Sequence, residues 1–97
     1  VNDTNIIFRK LDTIIVKGKT TPTVLYEVQN YNKESLELFK KYEEALSLYQ
    51  AGDFNRAENI FKELKESGDN PASAMLERLP IVRNEKSWNG VWHFDEK

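Results

Sequence analysis

Two periodicities divide the chain. Val24, Tyr26 and Val28 alternate with Thr23, Leu25 and Glu27. A repeat of two predicts a β-strand with one buried face. Ahead of it lies a β-prone run, Ile6-Ile7-Phe8, then Leu11, Ile14 and Val16, which stops at Gly18. Gly18 supplies the backbone freedom of a tight corner. Pro22 has no N–H to give to a ladder, so it fits the start of the second strand. Together the two runs predict an antiparallel hairpin with Lys17 and Lys19 at its corner.

From Glu34 the period changes. Leu38, Phe39, Tyr42, Ala45, Leu46 and Tyr49 step by three and four, which places them on one stripe of a helix. Leu36 and Leu48 widen that stripe or meet another partner. Asn32 is the expected N-cap, with Ser35 near the first turn. Gly52 is the stop, and Asp53 caps a second helix bearing Phe54, Ala57, Ile60, Phe61 and Leu64 on its apolar side. "ESGDNP" ends it. Asp69 or Asn70 then caps a third, shorter helix with Pro71 at its first position, where a missing N–H costs nothing. Ala72, Met75, Leu76 and Leu79 form its apolar side, and Pro80 stops or bends it. The aromatic tail "SWNGVWHFDEK" reads as a short extended or hairpin segment packed on the helices. The expected fold is α+β: an N-terminal β-hairpin, a helical hairpin, a third short helix and an aromatic tail.

Composition narrows the function classes. With 97 residues the chain makes one small domain with a limited core. The net charge of -2, from 14 basic and 16 acidic residues, gives no footprint for nucleic acid. The absence of cysteine removes disulfides and thiolate metal sites. No apolar run is long enough to cross a bilayer, so direct membrane contact by this segment is not expected. The first residue is Val rather than Met, and a fragment of a longer protein is the expected origin. His93 is the only histidine and has no second member for a metal site or a triad. Trp88 and Trp92 are expected to anchor the tail. Glu43-Glu44 and Glu63-Glu66 are expected on solvated faces, in i,i+4 pairs with lysines.

"LYQAGDFNRAENIFKEL" resembles the tetratricopeptide (TPR) repeat across its turn and second helix. Ala45, Tyr49, Gly52-Asp53, Phe54, Ala57 and Phe61 fall at the family's small and aromatic positions, and the resemblance implies that Ala45, Tyr49, Phe54, Ala57 and Phe61 form the helix-packing core. Lys41 and Glu44 depart from the pattern, standing where large apolar residues are usual. One repeat provides no concave array, since a solenoid needs about three. An ordinary helical hairpin is therefore favoured over a peptide-binding one.

"FRKLDTIIVKGKTTPTVLYEV" resembles the C-terminal end of the catalytic domain of class III adenylate/guanylate cyclases. The matching residues are Phe8, Leu11-Asp12, Val16-Lys17-Gly18-Lys19, Pro22 and Tyr26-Glu27-Val28. "FNRAENIFKEL…SWNGVWHFDEK" is similar to the TPR-like C-terminal extension that bacterial members carry. The resemblance implies a boundary: residues 1–30 as the terminal hairpin of an incomplete catalytic domain, and residues 31–97 as the helical extension. It implies a parent that converts ATP, or less readily GTP, to the cyclic 3′,5′-monophosphate and pyrophosphate with Mg or Mn. The expected partners are the remainder of the catalytic domain, ATP in the parent, and a homodimer formed through the parent. The expected location is cytoplasmic, with membrane anchoring of the parent left open. Lys17 would contact the triphosphate, a role suited to a mobile point charge; a solvated turn is the competing reading. The family's metal-binding aspartates, purine-selecting pair and Asn/Arg pair lie outside the matching region. Asp12 is not assigned to a metal, the fragment is expected to carry no cofactor, and alone it is expected to be inactive. The alternative is a non-enzymatic TPR-type module that binds a partner protein.

Overall fold

In a computed structural model, which describes residues 5–94, the chain forms a small sheet and three helices. Strand β1 spans Ile6–Ile15 and β2 spans Thr23–Asn30, followed by α1 (Lys33–Gln50), α2 (Phe54–Glu66), α3 (Asn70–Val82) and a two-residue strand β3 (Trp92–His93). The expected α+β order, strands first and helices after, is what the chain adopts.

The hairpin turn closes with Lys19 N–H donating to the Val16 carbonyl at 3.0 Å. Lys17 and Gly18 occupy its two central positions. Gly18 has φ of 84°, the left-handed value that the third position of a type II turn requires. From there β1 and β2 pair antiparallel, with Phe8 opposite Val28, Lys10 opposite Tyr26 and Ile14 opposite Thr23. The register slips between Lys10 and Asp12, leaving Leu11 as the extra residue of a β-bulge.

That bulge exposes backbone groups, and α1 satisfies them. Lys10 N–H donates to the Glu43 carboxylate at 2.6 Å, and the Tyr42 hydroxyl donates to the Leu11 carbonyl at 2.7 Å. The first helix therefore lies against β1 at the bulge. All three helix starts are capped by a side chain: Asn32 accepts from the Glu34 and Ser35 amides, Asp53 from Arg56, and Asp69 from Ala72. Of the two residues considered for the third cap, Asp69 is the one that serves. Pro80 neither stops nor visibly ends α3, which runs on to Val82.

The core is helical. Tyr42, Ala45, Leu46, Tyr49, Ala57, Phe61, Leu64, Ala72, Met75, Leu79 and Val82 pack as one cluster, with Tyr42 and Phe61 in an edge-to-face pair at 5.5 Å. Small Ala45 and Ala57 at full burial let α1 and α2 approach closely.

The tail does not form a hairpin. β3 pairs parallel with β1, Ile14 opposite Trp92, giving the strand order β2-β1-β3. Gly90 explains how the chain gets there. Its φ is 88°, and a Cβ at that position would lie 3.1 Å from the Gln50 carbonyl, so the chain passes the end of α1 at a distance only glycine accommodates. Trp88 fastens the same region, donating from Nε1 to the Tyr49 carbonyl at 2.9 Å and stacking edge-on against Tyr49 and Phe54. Residues 95–97 of the aromatic tail lie outside the described residues.

The one buried face expected of β2 is absent. Val24, Tyr26 and Val28 are all exposed, Tyr26 at 56% and Val28 at 61%. They share a face with Ile6 and Phe8 of β1, by register and by the alternation of strand side chains. Phe8 is 63% exposed and meets Tyr26 edge-to-face at 5.9 Å. The helices reach the opposite face and one edge of the sheet, so the alternation marks an apolar face that no described element covers, bordered on one side by Glu43, Leu46 and Gln50 of α1.

Candidate functional site

Lys17 sits where the sequence reading places it, at the exposed apex of the β1–β2 turn, with Lys19 two residues on and also exposed. Neither makes an ion pair among the described residues. The turn is a basic corner.

Below the turn, β1 carries two charged residues into the interior. Arg9 is 2% exposed and Asp12 is 3% exposed. The bulge at Leu11 makes this possible: in a regular strand, residues three apart point to opposite faces, and one inserted residue restores them to the same side. Arg9 uses its planar fork on Asp69, with Nη2 donating to Oδ1 at 2.8 Å and Nη1 to Oδ2 at 3.1 Å. It also donates from Nη2 and Nε to Glu27 Oε1 across the hairpin, at 2.7 and 3.0 Å. Its guanidinium lies over the rings of Phe39 and Tyr42, 4.5 and 4.7 Å from their centroids. Burial works against its charge, but the hydrogen bonds and charges of Asp69 and Glu27 outweigh it and hold the guanidinium above its ordinary value.

Asp12 pairs with Arg78 of α3 and accepts from the Thr13 amide at 2.8 Å. Arg78 in turn lies over Trp92, 4.6 Å from its centroid. Burial raises the Asp12 carboxyl above the usual range, more than Arg78 and the Thr13 amide lower it. Near this pair stands Tyr49, fully buried, with a hydroxyl that makes no hydrogen bond. Burial and then the charge of Asp12 push that hydroxyl up to about 12, with Arg78 opposing from outside hydrogen-bonding geometry. Tyr42 is raised for the same two reasons.

The helix-packing residues come together: Ala45, Tyr49, Ala57 and Phe61 are fully buried, and Phe54 is half-buried against their cluster. Glu63 departs from its expected i,i+4 pairing, reaching Lys41 of α1 at 2.8 Å. Lys41 thus spans the α1–α2 seam at a position where the TPR pattern has an apolar residue. Glu43 is likewise engaged with the β1 backbone rather than with a lysine. His93 is exposed.

An open groove of about 760 Å³ lies between the end of α3 and the tail, lined by Ile81, Val82, Trp88, Trp92 and Phe94 among others. It is mostly apolar, with Glu85 and His93 also on its wall. Among the described residues no group of three or more His, Cys, Asp or Glu side chains is placed to hold a metal ion. Asp12 is committed to Arg78, and the metal-binding aspartates that the cyclase resemblance implies lie outside the matching region.

Sequence reasoning did not find the Arg9–Asp69 and Asp12–Arg78 pairs, which span 60 and 66 residues. The available signal was two charged residues inside a β-prone run, both within the quoted "FRKLD". Comparison of the chain with family models, with curated proteins and with solved structures yields no match to any of the three.

Proposed function

We propose that this chain is the C-terminal part of a class III nucleotide cyclase, in which the hairpin belongs to the catalytic sheet and the helices form an accessory module bracing it. The parent would close the 3′-hydroxyl of ATP onto its α-phosphate and release pyrophosphate, on the cytoplasmic side, as a homodimer. The observation that carries the reading is the uncovered apolar face of the hairpin, Ile6, Phe8, Val24, Tyr26 and Val28. A contiguous exposed apolar face marks a surface with a partner, and the remaining strands and helices of a catalytic domain are a partner of the right kind. The exposed Lys17 at the turn is available to a phosphate, as the resemblance implies. A TPR-type partner-binding module is the second reading. It draws on the same α1–α2 hairpin but has no array of repeats to form a groove.

The test is steady-state cyclase kinetics on the full-length gene product. A charge-assisted contact from Lys17 is worth about 1.5–3 kcal/mol, so Lys17→Ala should lower kcat/KM by about tenfold to a hundredfold. Lys19→Ala should do much less, because the turn directs it elsewhere. Absence of cyclic nucleotide formation by the full-length product would overturn the cyclase reading. Equal, near-parental kinetics for both variants would reduce the basic corner to a solvated turn.

A further inference from the structure

We infer that α3 is a clamp on the hairpin, with Asp69 and Arg78 gripping Arg9 and Asp12 so that helices remote in sequence set the position of the Lys17 turn. The importance of that turn rests on the reading above; the clamp itself stands on geometry alone.

Three observations carry it. The hydrophobic core holds the helices together and takes no buried residue from the hairpin. The only buried residues of β1 are Arg9, Asp12 and Ile14, and β2 has none. Two of the three buried side chains of the hairpin are therefore charged, and both charges are answered by α3 and its cap.

The spacing suits a two-point grip. Arg9 to Asp12 covers roughly 10 Å of strand, while Asp69 to Arg78 covers about 13 Å of helix. Long arginine side chains, one from each element, take up the difference. The polarity alternates: the strand offers a cation and then an anion, the helix an anion and then a cation. Only one register and one direction of β1 along α3 satisfies both pairs. A slip would leave a buried charge without a partner, which is strongly unfavourable. Asp69 is also fixed on its own side, because the carboxylate that receives Arg9 caps α3 through the Ala72 amide at 3.2 Å.

This arrangement makes the hairpin separable. Loosening the pairs removes its buried charged anchors, leaving the Tyr42 and Glu43 hydrogen bonds, the half-buried Leu11 and the β3 pairing to hold it, while the α1–α2–α3 core stays untouched, the condition for local rather than global opening.

Amide hydrogen exchange on the 97-residue chain tests this, with Asp69→Asn, Arg78→Gln and Arg9→Lys as variants. Asp69→Asn keeps a capping oxygen, and Arg9→Lys keeps the charge but loses the fork. In the first two, amides of β1 and β2 should lose protection on the order of a hundredfold, while buried amides of α1 and α2 stay within about threefold of the parent. Arg9→Lys should give a smaller loss confined to the same strands. Equal loss in strands and helices, including complete unfolding, would overturn the clamp, and so would unchanged protection of the strands. No nucleotide enters the measurement, so the clamp and the cyclase reading can fail independently.

Discussion

Asp12 shows how a single side chain can be both an anchor and a cost. Its carboxyl is paired with Arg78, yet burial keeps it above the ordinary aspartate value. A group whose folded value is raised binds its proton more tightly in the folded state. Its ionisation therefore opposes folding, and the opposition grows as pH rises from the ordinary value through the raised one. In Asp12→Asn that pH-dependent term vanishes, while the loss of the Arg78 partner persists at every pH. The stability deficit of Asp12→Asn relative to the parent should accordingly narrow as pH rises from about 3 to about 6. Chemical denaturation of both proteins across that range checks it; a deficit that widens would place Asp12 below its ordinary value. At this scale the sequence was only partly legible. Caps and turns are local, so Asn32, Asp53 and Gly18 could be read from their neighbours. The partners of Arg9 and Asp12 lie 60 and 66 residues away, and no local pattern announces them.

Among the elements, the α1–α2 hairpin supplies most of the core cluster. Phe61 is fully buried, edge-on to Tyr42, in the same cluster as the small Ala45 and Ala57. Phe61→Ala should cost about 3–5 kcal/mol, the range for a buried aromatic truncated in a packed core. A thermal or denaturant melt measures it, and an unchanged melt would mean that the helices do not meet through this ring. The helices were legible because their stripes are strong and each begins at a capping side chain. β2 was legible as a strand but not in its orientation. Period two identifies an apolar face without saying what covers it, and here the helices cover the other one. The parallel β3 was not legible, because two residues are too few to carry a period and its partner lies at the other end of the described chain.

For the whole molecule, the division is between a helical body with its own core and a sheet with one bare apolar face. Substitution on that face should be cheap in this chain. Phe8→Ser removes a side chain that is already 63% exposed, so stability should change by less than about 0.5 kcal/mol. In the full-length gene product the same substitution should lower the melting temperature if the face is covered there. Equal small effects in both would mean that the face stays open and that the catalytic-sheet reading loses its main support.

The parallel pairing of Ile14 with Trp92 has a consequence for the order of assembly. During synthesis β1 can join β2 as soon as Asn30 is made, because their turn is short. Its other edge must wait until Trp92 has left the ribosome, after all three helices. Contacts this distant in sequence close late, since loop-closure entropy precedes any gain. Until Asp69 and Arg78 are in place the hairpin is a two-stranded ribbon, marginal by itself in water, with Asp12 unpaired and Arg9 held only by Glu27. The third strand is therefore the last piece of the sheet to pair.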